Sequence, residues 1–364
     1  MTAHALPAVW APGRVNLIGE HTDYSGGLVL PAAIQLGITL TVTRWADDVC
    51  LTSSGFGTAA SFAADGTGGR VEGWARYGQA VAAELAALGR PSAGLEASVD
   101  STLPPGSGLS SSAALEVAIG LALCNAAGFE LEPFELALAC QRAELRAVGV
   151  PCGILDQAAC LLGREGSALL LDCATLERRL VELPAGAALL IVHSGIERSL
   201  ESSAYAERRG ELEHAMRLVG AERSTDVSLT DLEGLEPLSL RRLRHVVTEN
   251  ARVLRFEQAL ADGDLSTAGR LLLESHASLR DDYEVSIPEL DVLVALAIDA
   301  GAYGARMHGG GFGGAALALV EASAADEVGR RTAVAYHART GREATTLIVT
   351  PSRGAALLNA ASSV

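Results

Sequence analysis

Leu103-Pro104-Pro105-Gly106-Ser107-Gly108-Leu109-Ser110-Ser111-Ser112-Ala113-Ala114-Leu115-Glu116 carries the strongest local signal in the chain. Pro104-Pro105 make a stiff entry. Gly106 and Gly108 permit a turn in which backbone N–H groups approach a ligand closely. Ser110, Ser111 and Ser112 then open an apolar segment. It is expected to be helical from 113 to about 127, capped by serine, with Leu115, Ile119 and Ala122 on one face. A capped helix start behind a glycine-rich loop is an anion site, because free N–H groups and the positive dipole end converge there. Gly-x-Gly with one capping serine is, by itself, an ordinary turn. Here one serine suffices for the cap, and the others are available to phosphate or Mg²⁺. We read residues 106–112 as a cradle for the phosphates of ATP.

All 28 Lys+Arg residues are arginine. A lysine-free chain carries neither the Walker A Gly-Lys-Ser/Thr nor the strand lysine of protein kinases. Nucleotide chemistry here has to rest on backbone N–H groups, arginine and a metal ion.

A length of 364 residues suggests two domains with sizeable cores, and 49% hydrophobic against 20% charged residues marks a globular chain. The formal net charge of −16 argues against nucleic-acid and anionic-membrane partners, but not against ATP, which is held by local dipoles and metal. Cys50, Cys124, Cys140, Cys152, Cys160 and Cys173 show no C-x-x-C spacing and read as buried free thiols in a reducing compartment. Before Arg14 the only basic side chain is the weakly basic His4, and no sustained apolar core marks a secretory signal. No stretch reads as a membrane span. A soluble, cytoplasmic protein is expected.

A strand at 7–11 leads into Pro12-Gly13-Arg14-Val15-Asn16-Leu17-Ile18-Gly19-Glu20-His21-Thr22-Asp23-Tyr24, and Ser25-Gly26-Gly27 continues the turn. Arg14, Glu20, His21 and Asp23 crowd a segment between apolar strands. Carboxylates accept hydrogen bonds from vicinal sugar hydroxyls, and histidine bonds another. A charged turn is ordinarily just solvated, but the surrounding glycines favour a folded loop that a ligand approaches. Strands are expected at 28–31 and at 37–43, where Ile38, Leu40 and Val42 alternate with threonines. Residues 53–73 read as loop and weak strand. Residues 74–88 have helical spacing, with Trp74 and Tyr77 either core or stacked on an adenine.

A strand at 94–101 feeds the glycine loop. A helix from Pro133 to about 148 carries Glu144, and Gly149-Val150-Pro151-Cys152-Gly153 breaks it. Asp156 opens the next helix in otherwise apolar surroundings, so it needs a partner or a task, which we place at a sugar hydroxyl. Strands follow at 168–172 and 187–193. The domain boundary is set between 1–185 and 186–364. Helices are expected at 199–219, 239–260, 265–279, 288–300 and 324–337, with strands at 304–307, 315–320 and 345–350. His308-Gly309-Gly310-Gly311-Phe312-Gly313-Gly314 joins two of these strands. Glycine is costly in a stable hairpin, so this is either a flexible tip or backbone lying against a ligand or the first glycine loop. The second half reads as an α+β sandwich.

Together these stretches resemble the GHMP small-molecule kinase superfamily and, within it, the galactokinase family. The signatures are 13–24, 105–116 and 309–314, with Cys152-Gly153-Ile154-Leu155-Asp156-Gln157 and Ser202-Ser203-Ala204-Tyr205 also similar. The resemblance implies a two-domain α+β fold with a ribosomal-protein-S5-like N-terminal domain and a ferredoxin-like C-terminal α/β sandwich, the active site lying between them. It implies ATP-dependent phosphorylation of the anomeric hydroxyl of α-D-galactose by a monomer. By the same resemblance Asp156 is the catalytic carboxylate, with Arg14 beside the transferring phosphate. Glu20, His21, Asp23, Gly153 and Tyr205 contact sugar; Gly106, Ser107, Gly108, Leu109, Ser110, Ser111 and Ser112 hold phosphates; Ser112 and Glu144 bind Mg²⁺; and Trp74 and Tyr77 pack the adenine. His308 and Ser25 depart from the family's common Thr and Asn. Rival readings are a related sugar-1-kinase acting on N-acetylgalactosamine, arabinose or a uronic acid, and a non-catalytic galactose and ATP sensor.

Overall fold

The structure, a computed structural model, describes residues 6–53, 55, 57, 59–149, 152–196 and 201–358, apart from the side chains of 201–203. Val150-Pro151 of the expected helix break, the expected helix start at Ser199, and the side chains of Ser202 and Ser203 lie outside the described residues.

The first half contributes strands β1 (Ala8–Asn16), β2 (Leu28–Val29), β3 (Pro31–Ala46), β4 (Asp48–Thr52) and β5 (Ala60–Ala63), helix α1 (Ala75–Ala87), strand β6 (Gly94–Ser101), helices α2 (Ser111–Ala127), α3 (Pro133–Val148) and α4 (Leu155–Leu162), and strands β7 (Ser167–Asp172) and β8 (Arg178–Glu182). The second half runs through β9 (Ala187–His193), α5 (Glu201–Leu218), α6 (Pro237–Ala261), α7 (Leu265–Asp281), α8 (Pro288–Ala300), β10 (Gly304–His308), β11 (Ala315–Glu321), α9 (Ala325–Thr340), β12 (Thr345–Val349) and β13 (Ala356–Leu358). The fold is α+β, as expected.

Three sheets result: six strands in the order β13-β1-β3-β6-β4-β5, four in the order β10-β11-β9-β12, and three in the order β2-β7-β8. Within the first, β4 and β6 run parallel while the other pairs are antiparallel. The strand expected to stop at Ala11 continues to Asn16, because β1 stays paired with β3 through a bulge between Pro12 and Arg14. Arg14 therefore stands on a strand, not in a turn. The strands expected at 28–31 and 37–43 resolve into the short β2 and the long β3. Three of β8's five residues in a row are exposed and it mixes arginine with glutamate, which is why its sequence did not read as a strand.

Helix α2 is buried around most of its circumference, from Ala113 to Cys124, and packs on β1 and β3 on one side and on α1, α3 and α4 on the other. That central position fixes the glycine loop leading into it. Proline opens α3, α6 and α8, where its missing N–H is no loss. Glu236 and Asp264 cap α6 and α7 by accepting from Ser239 N and Thr267 N. The sheet of the second half serves two cores. Leu189 and Ile191 of β9 face the core of the first half, and Leu190 and Val192 face the core formed with α5, α6, α8 and α9. Among the described residues no helix is long and apolar enough to cross a membrane.

Candidate active site

A cavity of about 770 Å³ is lined by the end of β1, the turn after it, the start of α1, the glycine loop, α3, the start of α4, α5 and the loop after β10. Arg14 spans its floor. Its Nε donates to Asp156 Oδ1 at 2.6 Å and its Nη2 to Oδ2 at 2.9 Å, while Nη1 donates to the Gly108 carbonyl at 2.7 Å. The backbone adds Arg14 N to Leu109 O at 3.1 Å. A bidentate guanidinium fixes a carboxylate in orientation as well as position. One arginine thus couples the expected catalytic carboxylate to the expected phosphate loop.

The loop itself turns through left-handed backbone at Gly106 (φ 67°) and Gly108 (φ 71°). Serine capping, however, is not what the structure contains. Ser110 occupies the cap position in a left-handed conformation (φ 59°) without a side-chain cap hydrogen bond. Its hydroxyl donates instead to Asp156 Oδ2. Ser112 Oγ donates to Glu144 Oε1 at 2.8 Å, and Ser107 Oγ to the Pro104 carbonyl at 2.7 Å. The hydroxyls are spent on the site's carboxylates and on the loop, because the left-handed turn aims Ser110 away from the helix's first N–H groups.

The charged turn forms the opposite wall. Asp23 heads a short 3-10 turn over residues 23–25, and Gly153 packs directly against it: a Cβ built on Gly153 would stand 1.8 Å from Asp23 Oδ2. Only glycine fits there. Loss of solvent, then the neighbouring Asp156 and Glu20 carboxylates, push the Asp23 carboxyl up to about 7. His21 is buried with φ 64°, and its Nδ1 lies 2.8 Å from Tyr24 Oη, which in turn lies 2.8 Å from Tyr283 Oη. Burial, then His245, lowers its imidazole to about 3, so it meets a ligand neutral. The ring of Tyr205, from α5, sits 5.6 Å from that of His21.

Glu20 is held from the far side of the cleft. Its Oε1 accepts from Gly309 N at 2.9 Å and from Arg306 Nη2 at 3.2 Å. The glycine-rich loop after β10 therefore touches the turn through its backbone, and Gly309 and Gly310 line the cavity. His308 is fully buried, 3.8 Å from Glu20 Oε1, and the Ser25 hydroxyl donates to Thr22 O and lies 3.0 Å from Ser224 Oγ. Behind Ser112 the buried Gln157 Nε2 bridges Glu144 Oε2 (2.7 Å) and Glu116 Oε2 (3.1 Å). Burial and the Asp156 charge raise Glu144; burial and Glu144 hold Glu116 well above the usual carboxylate range.

The structure thus brings together Arg14, Glu20, His21, Asp23, Tyr77, residues 106–112, Glu144, Gly153, Asp156 and Tyr205. Trp74 is the exception. It sits at the cap position ahead of α1 and packs against the hydrophobic core, outside the cavity lining. Arg76, Val148, Cys152 and Leu155 line the cavity and were not anticipated.

The chain matches the family models for the N-terminal domain of GHMP kinases (76–164), the C-terminal domain of GHMP kinases (256–335) and the galactokinase galactose-binding signature (4–44). It is 41% identical over 350 residues to a galactokinase from Thermococcus kodakarensis, covering 96% of this chain and 99% of that one. A galactokinase from Chloroflexus aggregans is 44% identical over 357 residues, covering 94% and 91%. The chain belongs to the galactokinase family. It is a sugar kinase of the GHMP fold. A crystal structure of Lactococcus lactis galactokinase complexed with galactose superposes with a TM-score of 0.90 at 34% identity, covering 97% of this chain and 95% of that one. A mevalonate kinase from Methanococcus jannaschii shares the fold at a TM-score of 0.70 and 18% identity, covering 96% and 100%.

Proposed function

We propose that this chain transfers the γ-phosphoryl group of ATP to the C1 hydroxyl of α-D-galactose, giving galactose 1-phosphate and ADP. The observation that carries this reading is the Arg14 guanidinium, bonded at once to Asp156 and to the glycine loop at Gly108. It supports an arrangement in which the sugar hydroxyl and the γ-phosphate meet over one side chain. Phosphoryl transfer asks mainly for such positioning and for charge stabilisation.

Asp156 Oδ2 already accepts from Arg14 and Ser110, whereas Oδ1 accepts from Arg14 alone. Oδ1 is therefore the oxygen that receives the C1 hydroxyl, orienting its lone pair towards phosphorus and taking its proton as the bond forms. Asp23, Glu20 Oε2, neutral His21 and Tyr205 hold the remaining hydroxyls, with the Gly153 backbone packed close behind Asp23. The N–H groups of residues 106–112 hold the phosphates.

The residues present fit a Mg²⁺ ion. Ser112 and Glu144 offer two oxygen ligands 2.8 Å apart, beside a second carboxylate, Glu116, whose repulsion a cation relieves. The described residues contain no metal-holding group of three or more His, Cys, Asp or Glu side chains, which suits an ion that takes the rest of its shell from phosphate and water. Bound there, Mg²⁺ supplies positive charge to the phosphates.

We also propose two domains, 1–185 and 186–364; support comes from β9, which opens the four-stranded sheet at Ala187. A cytoplasmic location is part of the same reading, supported by six free cysteines. The test is ADP release against a panel of galactose, N-acetylgalactosamine, arabinose and galacturonate. Saturable release preferring galactose is expected. Preference for another member, or sugar binding without ADP release, would replace the proposal.

A further inference from the structure

We infer that Arg76 is a specificity-determining residue for the nucleotide: its guanidinium contacts the phosphate chain of ATP and takes the place of the lysine this chain lacks. The inference rests on the kinase reading above and concerns one residue of that site. Arginines are the only cations lining the cavity among the described residues other than histidine, and there are two of them, Arg14 and Arg76. Arg14 is occupied by Asp156 and the Gly108 carbonyl. Among the described residues Arg76 has no carboxylate partner; its side chain bonds only the Tyr77 hydroxyl, and its Nε is buried without a hydrogen-bond acceptor. A buried guanidinium N–H that meets no acceptor is costly, and an anion in the cavity removes that cost.

The position selects phosphate over base. Arg76 lies over the ring of Tyr77, 5.3 Å from its centroid, so the guanidinium is held in place before any ligand arrives. Burial raises the Tyr77 hydroxyl above its ordinary value, and a hydrogen bond with Arg76 works against that rise. Helix α1, which carries both residues, packs on α2 and α3, which carry Ser112 and Glu144, and all four side chains line the one cavity, so the Arg76–Tyr77 pair stands on the wall where phosphates and metal belong. With Trp74 outside the lining, the α1 edge of the cavity presents a cation on a tyrosine. Planar guanidinium donors suit phosphate oxygens, which accept in pairs.

Calorimetric titration of the full chain with ATP, ADP, AMP and adenosine, for the parent, Arg76→Gln and Arg76→Lys, tests this. Galactose affinity of each variant reports that the fold is intact. Arg76→Gln is expected to weaken ATP and ADP by about tenfold or more, the loss of one charge-assisted hydrogen bond, and to leave adenosine within about twofold. Arg76→Lys, which keeps the charge, should recover part of that loss. Equal weakening of adenosine and ATP, or ATP affinity unchanged in Arg76→Gln, would overturn the assignment to phosphate. Failure of the parent to bind ATP at all would overturn the kinase reading itself, and this inference with it.

Discussion

Asp156 and Asp23 are two carboxylates in one cavity with different neighbours, and the difference is testable. Asp156 is clasped by Arg14 on both oxygens. Replacing it with Asn keeps the shape but removes the proton acceptor. Turnover should fall by about 10²- to 10⁴-fold, the usual worth of a positioned acid or base, while calorimetry still detects galactose binding. Asp23 has no such clasp, and its carboxyl sits at about 7. Between the usual carboxylate value and about 7 the folded protein keeps a proton that the unfolded chain has lost. Its contribution to stability is therefore full at low pH and disappears as pH rises through about 7. Asp23→Asn should become progressively more stable than the parent over that window, read from denaturation midpoints at successive pH values. Galactose affinity should run the other way, rising in the parent as Asp23 ionises and staying flat in Asp23→Asn.

At the scale of elements, the clamp between β1 and β10 matters most. Arg306, fully buried on β10, donates to Leu17 O at 2.7 Å, to Met307 O at 2.8 Å, to Asn16 O and to Glu20 Oε1. Arg306→Met leaves those acceptors and a buried carboxylate unmatched. A loss of about 3–5 kcal/mol in chemical denaturation is expected, together with weaker galactose binding as Glu20 loses its aim. Sequence reading did not find this residue, and the reason is physical. All five residues of β10 are buried, so no alternation of polar and apolar positions singles out a charge with a task. The glycine loop, the charged turn and Asp156 were legible because glycines, hydroxyls and carboxylates cluster there against propensity. For Trp74 and Tyr77 the sequence left core packing and adenine stacking both open, because helical spacing alone does not separate them. Both residues pack against the core from one helical turn, and Tyr77 also lines the cavity whereas Trp74 does not. What Ser110 bonds depends on a left-handed backbone angle that no residue type announces outside glycine.

Across the whole molecule, β9 joins what composition and length suggested as two domains. Leu189 and Ile191 pack in one core and Leu190 and Val192 in the other, so this strand contributes side chains to both. Ile191→Ala should cost about 2–5 kcal/mol, and calorimetry should show one unfolding transition for parent and variant alike, moved as a unit by galactose. Two separated transitions would show that the halves unfold independently. The last strand has a comparable reach. Residues Ala356–Leu358 of β13 lie against Ala8–Trp10 of β1, the strand that ends in Arg14 and Asn16. The outer edge of the strand bearing Arg14 is thus covered, over Ala8–Trp10, by residues made more than 340 positions later. Until residues 356–358 are made and docked, that part of β1 shows unsatisfied amides and carbonyls to its surroundings, and a chain clipped short of residue 356 would keep that adhesive edge for life.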